Sequence, residues 1–406
     1  MDTVVLAVFV LVYVGMILGE IPGLALDRTG VALLGTIVLL AAGSVTAQEA
    51  WDAVDVSTIG LLLGLMVVSA QFRLGGFYAS LTRRLATMQV SPATLLALLI
   101  LVSGALSAVL ANDIVCLAMA PVLTEGCARR QLDPVPFLLA LACASNVGSA
   151  ATIIGNPQNM LIGQVLNLSF AGYLLDAGAP ALLGLFAVWL VLVILVRGRW
   201  HKAVSVPHVE APDFNPWQTT KGSGVLIILM LIFLLTPLPR EVVALSAAGL
   251  LLTSRRMASR DMLGLVDWQL LVLFAGLFVV NYALAESGML AHMMEATASA
   301  GVNLGNPVAL FVVTVILSNL VSNVPATMLL LPAATYPLAG PILALASTLA
   351  GNLFIVGSIA NIIVVDQARL LDVRIGWLEH AKVGVPVTIV TLLLAAGWLY
   401  LRANIF

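Results

Sequence analysis

The sequence predicts an all-α polytopic membrane protein built from two inverted-topology repeats, each with five spans and a re-entrant hairpin, and with broken helices meeting at the midplane. Three observations carry that expectation. Of 406 residues, 61% are hydrophobic and only 9% are charged, far from the balance of a soluble domain. Polar, helix-breaking residues interrupt the apolar segments at two places in each half. The interruptions recur in the same order in both halves.

In the first repeat, residues 1–196, apolar segments at 3–19, 30–47 and 57–72 approach or reach the length needed to cross the hydrocarbon. The first has no basic leader and no clear cleavage pattern, so it reads as a retained span. Residues 75–88 differ: Phe77, Leu81, Leu85 and Met88 recur at helical spacing among Ser80, Arg83, Arg84 and Thr87, as an interfacial amphipathic helix requires. Residues 93–125 carry Asn112 and Asp113 between two short apolar runs, which predicts a hairpin with its polar tip near the midplane.

The next segment, 135–165, contains SNVGSAATIIGNPQNMLIG. Gly155, Asn156, Pro157, Gln158 and Asn159 break a helix there and expose polar groups. An unpaired backbone amide in hydrocarbon costs several kcal/mol, so such a break persists where it lines a cavity or binds something. It is expected to form half of a binding site. A span at 178–196 closes the repeat, and the polar stretch 197–221 forms a cytoplasmic linker.

The second repeat, 222–406, follows the same order. Spans at 222–236, 241–254 and 268–285 precede an interfacial stretch, a hairpin at 307–337, a broken span at 341–365 and a last span at 384–401. VDVSTIGLLLGLMVV aligns without gaps with VDWQLLVLFAGLFVV, matching Asp55 with Asp267 and Gly64 with Gly276. Leu106, Ser107, Asn112 and Pro121 match Leu317, Ser318, Asn323 and Pro332; Gly155 and Asn159 match Gly357 and Asn361. The matching polar positions fall at the interruptions, which composition alone does not arrange.

Charge tests this topology. With both termini outside and each hairpin returning to its own side, the inside loops hold Arg28, Arg73, Arg83, Arg84, Arg129, Arg130, Arg197, Arg199, Lys202, Lys221, Arg255, Arg256, Arg260, Arg369, Arg374 and Lys382. Only Arg240 and Arg402 of the 18 basic residues fall outside. Reading either hairpin as a full crossing destroys the asymmetry. Five crossings per half invert the second half relative to the first, which is the architecture of secondary transporters.

Other function classes lack their residues. A net charge of -2 offers nothing to nucleic acid. The three cysteines, Cys116, Cys127 and Cys143, form neither a disulfide framework nor zinc spacing, and small buried cysteines pack as hydrophobes. The four histidines, His201, His208, His292 and His380, map to linkers or span ends, which argues against a metal or proton relay built on them. Asp55 and Asp267 read as interfacial; Gly60, Gly64 and Gly276 read as close-packing positions. There is no His-Glu-x-x-His and no Gly-x-x-x-x-Gly-Lys, so the chain is expected to be no enzyme and to draw on an ion gradient or a separate ATPase subunit.

The paired segments ANDIV and SNVGSAATIIGNPQN in one half, with LVSNVPATM and VGSIAN in the other, resemble the ion transporter superfamily. That group takes in the citrate and divalent-anion transporters, the arsenite permeases and certain sodium/proton antiporters. GNPQN looks like the Gly-x-Pro-x-Asn element of the arsenite permease and anion permease branches. The resemblance implies no cofactor beyond a coupling ion, Na⁺ or H⁺, and a homodimer in the cell membrane. It implies Na⁺ sites at Ser107, Asn112 and Gly155 and at Ser318, Asn323 and Gly357. The candidate substrate- or ion-binding set is then Ser107, Asn112, Asp113, Ser145, Asn146, Gly155, Asn156, Pro157 and Asn159 with Ser318, Ser322, Asn323, Gly357, Ser358 and Asn361.

The hairpin tips depart from the dicarboxylate carriers. Those show Ser-Asn-Thr twice, whereas this chain has Ala111, Asn112, Asp113 and Ser322, Asn323, Val324. Asp113 is the clearest ionisable residue expected near the membrane centre, where it must be protonated or neutralised by a cation; it also suits the cap of a half-helix. A fixed anion beside the substrate favours a neutral or cationic solute over a dianion. A small anion, arsenite or antimonite, and Na⁺ exchanged for H⁺ all remain open.

Overall fold

The structure is a computed structural model that describes residues 2–19, 23–254 and 257–405. Arg255 and Arg256 of the inside basic set lie outside the described residues. The first half runs α1 (Asp2–Leu18), α2 (Arg28–Ala41), α3 (Ala47–Ala53), α4 (Val56–Leu74), α5 (Phe77–Thr87), α6 (Pro92–Val109), α7 (Asn112–Arg129), α8 (Pro134–Ser149), α9 (Pro157–Val165) and α10 (Phe170–Val196). The second runs α11 (Pro216–Leu235), α12 (Arg240–Leu252), α13 (Ser259–Leu263), α14 (Trp268–Glu286), α15 (Met289–Ser299), α16 (Pro307–Val321), α17 (Asn323–Leu330), α18 (Ala339–Ala350), α19 (Ile359–Leu370) and α20 (Trp377–Ile405).

Helix starts follow local chemistry. Asp55 and Asp267, matched in the repeat, cap α4 and α14 by accepting from Thr58 N and Leu270 N, each at 2.9 Å. Ser91, Asp133 and Asn156 cap α6, α8 and α9, each followed by proline in the first turn, where its missing N–H costs nothing. α4, α6, α10, α11, α14 and α20 are each long and apolar enough to cross a bilayer.

Three elements differ from the sequence reading. α6, with 18 residues, is itself as long as a span, and α7 matches it in length; the two meet at Leu110 and Ala111. α5 forms where expected but turns another face inward: Tyr78, Ala79, Thr82, Leu85 and Ala86 are buried and Met88 is exposed. The cause is its seat on α7, where Gly126 leaves room for the Ala86 methyl. α3 was not foreseen, although Thr46 and Glu49 form a complete capping box, the spacing that announces a helix start.

Packing repeats along with the sequence. Gly64 on α4 lies against the backbone of Ala244 on α12, and Gly276 on α14 lies against Ala32 on α2. A Cβ at Gly64 would stand 2.6 Å from the Ala244 carbonyl carbon, so only glycine permits this approach. Ala32 and Ala244 are also matched, each the middle residue of a Val-Ala-Leu run at 31–33 and 243–245. Each half thus seats its third span on the second span of the other. The breaks do the same: α9 packs on α17 and α18, and α19 packs on α7 and α8.

The linker after α10 is fastened to the first half. Asp133 N donates to Trp200 O at 2.8 Å and Lys202 N to Gln131 O at 3.0 Å. Val209 belongs to a small buried cluster with Ala79 and Val122 of the first half and Leu371 beyond α19.

Candidate functional site

The two breaks, 150–156 between α8 and α9 and 351–358 between α18 and α19, fold alike because equivalent side chains tie them. Asn159 donates through Nδ2 to the carbonyls of Thr152 at 3.0 Å and Ser149 at 3.4 Å. Asn361 donates to Phe354 at 3.0 Å and Gly351 at 2.8 Å, the same carbonyls of the repeat. Each asparagine therefore supplies the donor that helix would have given, at no cost in unsatisfied carbonyls. Gly155 and Gly357 sit where the chain crosses Ser149 and Gly351; a Cβ at Gly155 would run into the Ser149 backbone.

The breaks also reach across to each other. Asn156, which caps α9 with its Oδ1, donates through Nδ2 to Thr348 Oγ1 at 3.2 Å, and Gln158 joins the same oxygen at 3.1 Å. Ser358, which caps α19, donates to Asn146 Oδ1 at 2.8 Å. Asn146 and Thr348 are matched positions, so the crossing is reciprocal. Asn146 Nδ2 reaches Asn352 Oδ1 at 2.9 Å and Asn361 Oδ1 at 3.1 Å. All these side chains are buried. Pro157 opens α9 beside them.

The two hairpin tips differ. In the first, Ser107 Oγ lies 2.8 Å from Ser145 Oγ, and Ser145 donates to the Asn112 carbonyl at 3.2 Å. Asn112 Nδ2 stands 3.5 Å from Asn146 Oδ1, and its own Oδ1 has no partner among the described residues. In the second, Ser318 Oγ, Asn319 Oδ1, Asn323 Oδ1 and Thr327 Oγ1 are all buried without a partner among the described residues. Asn319 Oδ1 lies 3.1 Å from where a Cβ on Gly357 would be. Ser322, at the bend between α16 and α17, has φ 77°, a left-handed conformation strained for a side chain. A cluster of neutral oxygens beside an unwound backbone suits a hard cation such as Na⁺. The first tip has largely satisfied its hydroxyls internally; the second has not.

Asp113 faces elsewhere. Together with Arg73, Asn156, Pro157, Met160 and Asp267 it lines a cavity of about 220 Å³ that ends at the first break. Asp267, expected to be interfacial, both caps α14 and lines the same cavity as Asp113. On another face, Asp55, Gln164, Arg240 and Glu241 line a cavity of about 770 Å³, with Gln164 Nε2 donating to Glu241 at 2.9 Å and Arg240 to the Gly163 carbonyl at 3.1 Å.

Several site residues escaped the sequence reading: Arg73, Thr348, Asn319, Asn352, Tyr173 and His380. Thr348 was accessible as the repeat mate of Asn146. Asn352 matches Ala150, so the repeat gave no signal for it. His380 does lie at a span end, in the first turn of α20, but it is buried, 2% exposed, with Nε2 3.1 Å from the Asn352 carbonyl.

A helical bundle with crossing spans, two discontinuous helices joined by a buried polar core, and cavities leading to it defines a membrane transporter, not an enzyme. Residues 13–341 match the citrate transporter family, and the chain belongs to that family. Among its relatives, an uncharacterised transporter of Mycobacterium tuberculosis is 29% identical over 99% of both chains. The silicon efflux transporter LSI3 of Oryza sativa subsp. japonica is 27% identical, over 91% of this chain and 92% of its own. The putative transporter arsB of Dictyostelium discoideum is 22% identical over 91% and 87%. The fold is similar to that of the YdaH transporter of Alcanivorax borkumensis, with TM-score 0.57 and 14% identity over 99% of this chain and 97% of that one.

Proposed function

We propose that the protein is a secondary active transporter that moves a small anionic or oxyanion-type solute, coupled to Na⁺ or H⁺, by alternating access around the paired breaks. The observation that carries this reading is the unpartnered oxygen set of Ser318, Asn319 and Asn323 beside Gly357, a seat for a coupling cation next to the amino termini of α17 and α19. Helix amino termini attract an anion, and a cation alongside neutralises it, so ion and solute bind together more readily than apart. The matched hairpins are read as re-entrant and the halves as inverted, which lets one set of helices rock against the other.

A second reading has specific support. Asp113 and Asp267 outnumber Arg73 on the cavity that ends at Asn156, and this acidic balance disfavours a multiply charged anion on that route. An undissociated oxyacid, of the kind moved by an arsenite or antimonite efflux permease, passes without that repulsion; Na⁺ exchanged for H⁺ is the third possibility. Relatives named for silicon efflux and as arsB fit this second reading.

A thermal-shift screen of purified protein against arsenite, antimonite, sulfate, citrate, succinate and Na⁺ at two pH values separates the readings, since a ligand of the folded state raises its melting temperature by mass action. Stabilisation by an anion only when Na⁺ is present supports the first reading. Stabilisation by arsenite or antimonite without Na⁺ supports the second. No shift with any of them removes both solute classes.

A further inference from the structure

The two breaks are clamped from the side by equivalent contacts of different chemistry. In the first half, Tyr173 on α10 donates its hydroxyl to the Ala150 carbonyl at 2.9 Å. In the second, Nε2 of His380 on α20 lies 3.1 Å from the Asn352 carbonyl. A carbonyl only accepts, so Nε2 carries the hydrogen. Ala150 and Asn352 are one position of the repeat: the offset that pairs Gly155 with Gly357 and Asn159 with Asn361 pairs them too. α10 and α20 correspond as well, each closing its half and each carrying an internal proline, Pro180 and Pro386. Gly384, one turn beyond His380, makes the contact possible. A Cβ there would lie 3.0 Å from the imidazole Nε2 and collide with the Asn352 carbonyl.

The clamps differ in one property. A phenol stays neutral across the physiological range, while imidazole gains a charge within it. The elements packed on α20 are α8, α10 and α18. Their titratable side chains are Cys143 on α8 and Tyr173 and Asp176 on α10, while α18 has none. Asp176 is paired with Arg402 near the far end of α20. On α20 itself Glu379 and Lys382 are exposed, and Glu379 accepts from Gly376 N. Among the described residues no carboxylate pairs with His380. A proton on its ring therefore places a buried positive charge among neutral groups, one hydrogen bond from the second break, and an unpaired buried charge is expelled or compensated.

We propose that His380 is a proton-sensitive clamp: neutral, it holds the Asn352 carbonyl and the second break closed; protonated, it leaves its seat and frees the break, while Tyr173 holds the first break at any pH. His380 is a positioning residue acting through Asn352. For its consequence in transport the inference rests on the reading of the breaks as the site, but the break's own motion is measurable without any solute.

The experiment is hydrogen exchange by mass spectrometry on the full-length protein at about pH 5.5 and about pH 8, either side of the usual histidine range, corrected for the intrinsic rate at each pH. Peptides covering 350–358 should exchange several-fold faster at the lower pH, and those covering 149–157 should not change. His380→Gln keeps an N–H donor and removes the titration, so its second break should exchange alike at both pH values. Tyr173→His should confer the pH response on the first break, which keeps the test decisive if His380→Gln fails to fold. A wild-type second break indifferent to pH, or a response that persists in His380→Gln, overturns the proposal. Failure of every transport assay leaves this measurement unaffected.

Discussion

Asn146 on α8 donates from Nδ2 to Asn352 Oδ1 at 2.9 Å, joining the helix before the first break to the second break side chain to side chain. The same amide group bonds Asn361, and its oxygen receives Ser358. One residue thus satisfies three buried partners from the other half. Asn146→Ala should cost about 1–3 kcal/mol for each partner left unsatisfied, and it should abolish transport. Thermal unfolding in detergent and uptake into proteoliposomes check both parts; a variant as stable as the parent would show that the partners find each other without it.

Asn112→Ala and Asn323→Ala should behave differently from that change. Their Oδ1 atoms have no partner among the described residues, so truncation removes few bonds that the fold depends on. Each variant should be expressed and folded near normally and should not transport. Near-normal uptake by both would remove the site.

Asp113→Asn should keep the fold, because the amide has the carboxylate's shape and the cavity it lines is polar on the Arg73 and Asp267 side. It should retain exchange or counterflow of solute and lose gradient-driven accumulation, together with the pH or Na⁺ response. Asp113 lies in the first turn of α7, whose N-cap Ala111 makes no side-chain cap bond, so it is not the helix cap expected; unaltered accumulation and unaltered ion response in the variant would remove it from coupling, which would then fall to the Ser318 and Asn323 oxygens.

The two break glycines are unequal. A methyl at Gly155 meets the Ser149 backbone, which cannot yield, whereas at Gly357 the nearest atoms are the Gly351 carbonyl oxygen at 3.0 Å and the Asn319 side chain at 3.1 Å. Gly155→Ala should destabilise by about 1–3 kcal/mol or prevent folding, with a smaller effect from Gly357→Ala. Gly357→Ala should instead weaken Na⁺ stabilisation, since the added methyl stands beside the open oxygens. Equal melting temperatures for the two variants would contradict this ranking.

Cysteines at Gln158 and Ala360, in a background without the native three, test movement. Gln158 and Ala360 are buried, at 5% and 0% exposure, so this conformation should resist a membrane-impermeant thiol reagent at both. Addition of solute or coupling ion should open one of them to one side at a time. Labelling that never responds to ligand or ion would indicate a static structure or a channel.

The sequence alone determined the class, the order of the elements and the places where helices break. Hydrophobic runs, Asn and Gly in the middle of them, and the match of Gly155 and Asn159 with Gly357 and Asn361 are local signals, and a lipid environment makes them stringent because every backbone group must find a partner. Even the residues that tie each break were legible, since Asn159 and Asn361 bond carbonyls a few positions away. What the breaks hold on to in the other half was not. Thr348 was marked only as the repeat mate of Asn146, while Asn352 and His380 carry no pattern that separates them from the asparagines and histidines of linkers and helix faces. The roles of Thr348 and Asn352 come from packing α9 against α17 and α18 and α19 against α7 and α8, which brings residues some two hundred positions apart into hydrogen-bond range, and that of His380 comes from packing α20 against α18 within its own half. Tertiary structure also decided that Ser107 is already bonded to Ser145 while Ser318 has no partner among the described residues, because sequence says which oxygens exist and only packing says which of them are left without a partner.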